Sequence, residues 1–69
     1  FISMKRIGNG IWLMYYYGCT IVINEGFKEI TVGTPKSQVI KYQFEDTPTI
    51  EDLEQIQGLI LEAYGSQAA

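Results

Sequence analysis

The sequence predicts an α+β fold, a small antiparallel β-meander of three to four strands with one C-terminal α-helix packed on one face. Three observations point to it. Short runs rich in β-branched and aromatic residues fill the first 44 positions, cut by Gly, Asn and Pro. Val39–Phe44 alternates, with Ile40, Tyr42 and Phe44 on one side and Lys41 and Gln43 on the other. Beyond Pro48 the apolar spacing changes to threes and fours.

Met4 opens the domain, which is expected to run from residue 4 to 65. Phe1 to Ser3 are read as a cloning remnant and residues 66–69 as a flexible tail. Met4–Ile7, if extended, closes through Gly8-Asn9-Gly10 onto Ile11–Tyr17. Gly18 then marks either a tight turn or a bulge in one long strand that continues as Cys19–Asn24. Asn24-Glu25-Gly26 is the clearest hairpin signal, with Gly26 expected to take a positive φ and Phe27–Val32 to return antiparallel. Gly33 to Ser37 is a turn in which Pro35 fixes one φ, and Val39–Phe44 follows.

The helix is expected from about Ile50 to Tyr64. Thr49 is a good N-cap, and Asp52 three residues on completes an approximate capping box. Leu53, Ile56, Ile60 and Tyr64 form one apolar face. Gly65 stands where a left-handed C-cap is expected. Gly58 sits mid-helix at a cost near ~1 kcal/mol, which close packing against a neighbour would justify.

Composition narrows the chemistry. With 69 residues the chain buries roughly 60% of its unfolded surface, a small core. Cys19 is the only cysteine and there is no histidine. An internal disulfide, a zinc centre and a His-activated nucleophile are therefore excluded, and a reducing, cytoplasmic setting is expected. Ile7–Asn24 carries no charge and follows Lys5-Arg6, but its glycines and its length fit buried strands better than a span of ~20 apolar residues. Gly8-Asn9-Gly10 and Gly33-Thr34-Pro35-Lys36-Ser37 lack the glycines and following helix of nucleotide loops. Neither enzymatic activity, nor a cofactor, nor a metal is expected.

Charge is unevenly placed. Residues 1–44 hold five basic and two acidic side chains, whereas 45–69 hold six acidic and none basic. The acids at the helix start suit the helix dipole as a solvated cap.

The segment IWLMYYYG concentrates the aromatic surface. Alternation puts Ile11, Leu13, Tyr15 and Tyr17 on one face of a strand and Trp12, Met14 and Tyr16 on the other. One helix covers one face only, so one bulky set is left uncovered. Cross-strand packing accounts for part of this. A contact surface accounts for the rest, because Trp, Tyr and Met are interface-rich types.

The function expected is thus a non-catalytic protein-interaction module: a homodimer, an accessory subunit or a small inhibitor. Its partner-binding candidates are Trp12, Met14, Tyr15, Tyr16 and Tyr17, with Glu51 and Glu54 as an acidic patch that imitates phosphates. The alternative is single-stranded nucleic-acid binding, with tyrosines stacking bases and Lys5, Arg6, Lys28 and Lys41 meeting phosphates. A pI near 4.6 weighs against it.

Overall fold

The computed structural model describes residues 4–65. The expected cloning remnant at 1–3 and the tail at 66–69 lie outside the described residues. Among the described residues the fold is α+β: five antiparallel strands followed by one helix. The strands are β1 (Lys5–Gly8), β2 (Ile11–Tyr16), β3 (Cys19–Asn24), β4 (Glu29–Gly33) and β5 (Val39–Gln43); the helix α1 is Ile50–Tyr64. Strand order equals chain order, β1-β2-β3-β4-β5, so the sheet is a meander.

There is one strand more than the three to four expected, because β2 and β3 separate at a two-residue turn. Tyr16 pairs with Cys19, and both turn residues take positive φ, Tyr17 at 48° and Gly18 at 79°. That combination is what a right-twisted two-residue hairpin demands. A tyrosine in this region costs about 1 kcal/mol. Its ring meets Tyr16 edge-on at 4.7 Å, a contact worth ~0.5–1.5 kcal/mol, so the two effects nearly cancel.

The next turn departs from expectation as well. Lys28 (φ 55°) is the left-handed residue rather than Gly26, and β4 begins at Glu29 rather than Phe27. The Asn24 side chain decides this. Its Oδ1 accepts the Phe27 N–H at 3.0 Å, holding Phe27 inside the turn, where its ring is exposed. Between β4 and β5 the Thr34 Oγ1 accepts the Gln38 N–H at 3.1 Å and Ser37 takes φ 65°. Across β1 and β2 the pairing shifts register between Arg6 and Gly8, a bulge at Ile7, and Gly10 (φ 73°) completes the turn.

Register sorts the side chains into two faces. On one, Trp12, Ile23, Ile30 and Tyr42 form a row, and Met14, Ile21, Val32 and Ile40 a second. Leu53, Ile56 and Ile60 of α1 close over these rows, and with Cys19 the cluster forms the core. Burial pushes the Cys19 thiol pKa up, consistent with a small core residue.

The helix begins where its cap chemistry dictates. Asp52 N–H donates to Thr49 Oγ1 at 3.2 Å, and Thr49 N–H donates to Asp52 Oδ2 at 2.9 Å, a reciprocal capping box. Thr49→Ala is expected to lower stability by about 0.5–1 kcal/mol, read as a reduced urea midpoint with unchanged slope. The far end differs from the expected left-handed cap. Gly65 remains right-handed, at φ −59° and ψ −41°, and its N–H donates to the Leu61 carbonyl. A Cβ there would come within 2.6 Å of Leu61 Cδ1, the movable end of an exposed side chain, so neither handedness nor backbone crowding requires glycine here.

Candidate functional site

The helix settles which bulky set of β2 is covered. Trp12, Met14 and Tyr16 lie on its side, and Leu13 and Tyr15 point to the opposite, open face. The seven candidate residues do not form one site. Met14 is buried, with the Gln57 Nε2 contacting its sulfur at 3.8 Å, and this removes it from any surface. Its thioether is core filling, because Ile21 lies opposite it in the register and the helix above.

Trp12 and Tyr16 are half-buried against the same core. Trp12 lines a cleft of about 350 Å3 at the helix N-terminus, together with Met4, Ile23, Glu25, Pro48, Thr49, Ile50 and Leu53. The cleft is mostly apolar and its one carboxylate, Glu25, belongs to the β3–β4 turn. Tyr17 stands at the tip of the β2–β3 hairpin, half exposed. Glu51 and Glu54 are exposed on the helix, hence on the other side of the molecule from Tyr15. One flat partner cannot meet the acidic patch and Tyr15 together.

The open face carries a pattern that register alone reveals. Its central row is Lys5, Leu13, Val22, Thr31 and Lys41 across the five strands. A flanking row is Tyr15, Thr20, Gly33 and Val39, and the other is Ile11, Asn24, Glu29 and Gln43. Tyr15 is 69% exposed and Val39 65% exposed, and neither has a covering element among the described residues. Gly33 lies between their strands and offers no side chain, so a shallow saddle separates the two. The apolar part is a patch of Ile11, Leu13 and Tyr15 on β2 with Val22 beside it on β3; Thr20, Gly33 and Thr31 separate it from Val39, and a lysine stands at each end of the central row.

Val22 and Val39 were not among the candidates. The signal for Val22 was present in CTIVIN, where Thr20 and Asn24 share its face and mark that face as the outer one. For Val39 the signal was the alternation of Val39–Phe44, which sets it on the face of Lys41 and Gln43.

Among the described residues no group of three His, Cys, Asp or Glu side chains is placed to hold a metal ion, and no helix is long and apolar enough to cross a membrane. Comparison with protein families, with curated proteins and with solved structures finds no match to this chain.

Proposed function

We propose that the chain is a non-catalytic protein-interaction module that docks through the open face of its sheet. One observation carries the reading. Ile11, Leu13, Tyr15, Val22 and Val39 stand on the face that the only helix among the described residues leaves uncovered. The patch of Ile11, Leu13, Tyr15 and Val22, bordered by charged and polar groups, has the usual composition of a docking patch, with an amphipathic tyrosine as its anchor. Lys5 and Lys41 at the ends favour a partner with acidic groups around an apolar centre.

The test is affinity capture with the wild-type chain and with a Tyr15→Ser, Val39→Lys double variant. Both positions are exposed, so the variant is expected to keep its thermal midpoint within a few degrees. A stoichiometric protein retained by the wild type and lost by the variant supports the reading. Equal retention by both overturns it.

A second reading rests on Tyr15 standing on the same face as Lys5 and Lys41, a stacking ring with one cation on the neighbouring strand and a second three strands away. It predicts that a labelled single-stranded oligonucleotide binds at low salt and is released steeply as salt rises. Absence of binding at 20 mM salt, a condition chosen on the order of the most permissive for such contacts, removes it.

A further inference from the structure

We infer that β5 is a pairing edge whose occupant is β5 of a second copy, antiparallel, with Tyr42 opposite Tyr42 of the other copy. The argument begins with hydrogen-bond phase. Thr34 N–H donates to the Gln38 carbonyl at 2.8 Å, and Phe44 N–H donates to the Lys28 carbonyl at 2.9 Å. Both pairs belong to the register in which Val32 faces Ile40 and Ile30 faces Tyr42. In an antiparallel ladder, bonded and non-bonded pairs alternate, so Gln38, Ile40, Tyr42 and Phe44 spend their backbone groups on β4 and its turns. Val39, Lys41 and Gln43 therefore point their N–H and C=O groups outward, away from the sheet.

The two edges of the sheet are unlike. β1 bears Lys5 and Arg6 and is bent by the bulge at Ile7, which are the usual guards against edge pairing. β5 pairs with β4 over five consecutive positions without a bulge, and Lys41 is its only charge. Pro35 and Pro48 lie outside it. Ile40, on the helix side of β5, is still 42% exposed. This edge is straight and carries one charged guard, Lys41, against the two charges and the bulge of β1.

Symmetry then selects a register. A twofold axis perpendicular to the sheet keeps both helices on one side and pairs residues of the same face. Centring it on Lys41 would set two ammonium groups opposite each other, which is unfavourable. Centring it on Ile40 would set Gln38 against Tyr42. Centring it on Tyr42 puts Ile40 opposite Phe44 and Lys41 opposite Gln43, and lines the outward N–H and C=O groups of Lys41 and Gln43 for mutual bonding. That register joins Ile40, Tyr42 and Phe44 of both copies into one apolar strip and opposes no like charges. The self-complementarity is why the occupant is a second copy rather than an unrelated strand. Such pairing is small, so the dimer belongs to the weak, transient class of interface.

This inference is independent of what docks on the open face, and the experiment keeps the two apart. Sedimentation of the full chain from about 10 μM to 1 mM is expected to show the mass rising from one copy toward two, the range set by the weak class of interface. Lys41→Pro removes only an outward N–H and is tolerated at an edge, so it is expected to keep its far-UV spectrum and remain monomeric. Tyr42→Cys is expected to give a disulfide-linked dimer on mild oxidation, faster than Ile40→Cys, since Cys19 is buried and competes poorly. Should Lys41→Pro lose its native spectrum, the cross-linking comparison decides alone. A single-copy mass over the whole range overturns the proposal. So does a dimer dissolved by Tyr15→Ser but not by Lys41→Pro, or faster cross-linking at position 40.

Discussion

Leu53→Ala is expected to leave the chain largely unfolded at 25 °C. Leu53 is 1% exposed and sits in the first turns of α1, where it meets the Trp12 and Ile23 end of the sheet. Truncating a buried leucine costs about 2–5 kcal/mol, the lost transfer energy plus the cavity left behind. A single core of this size supplies only ~3–5 kcal/mol in total. The loss and the total are therefore comparable. Far-UV circular dichroism and a urea titration check this: the expected result is a midpoint near zero denaturant. Ile50→Ala, three residues earlier and 53% exposed, serves as the contrast and should cost less than about 0.5 kcal/mol. Equal effects at the two positions would contradict the packing described here.

Gly58→Ala is expected to stabilise the protein by about 1 kcal/mol. A mid-helix glycine costs this much relative to alanine, through the greater freedom of the unfolded chain and the lack of a side chain. The sequence left open that close packing repays the cost. It does not within this subunit, since a Cβ built at position 58 meets nothing within 4 Å. For a domain of this length the gain corresponds to a rise of roughly 4–8 °C in thermal midpoint. A lower midpoint would show that the helix interior there is less regular than described. The glycine leaves helix backbone bare between Glu54 and Glu62, one turn to either side on the same exposed flank.

What could be read from the sequence, and what could not, divides along the range of the forces involved. The helix was legible to the residue, because Thr49 and Asp52 settle its start through bonds three positions apart. The meander was legible too, since glycine, asparagine and proline punctuate it. Three turn details were not. Tyr17, Lys28 and Ser37 all adopt positive φ, and none is a type that advertises it. At Lys28 the Asn24 side chain imposes the geometry from four residues away, overriding the more permissive Gly26.

Which face of β2 stays open was half legible. Alternation in β2 separated Tyr15 from Met14 correctly, but a bulky set on each side gave no reason to choose which one the helix covers. That choice is made by β3, whose Ile21 and Ile23 accompany Met14 and Trp12 while Thr20 and Asn24 accompany Tyr15 and Ile11. Val39 falls on the open face by alternation with Lys41 and Gln43, and only its pairing with Gly33 fixes which strand it stands beside.

The order of the strands has a kinetic consequence. Each strand finds its neighbour across a turn of two to five residues, so every hairpin zips without waiting for distant chain to arrive. Only the seating of α1 on Met14, Ile21 and Ile30 joins segments far apart along the backbone. Assembly of the sheet is thus expected to proceed by local closures, each on the order of the microseconds of an isolated hairpin, with the docking of the helix left to set the pace.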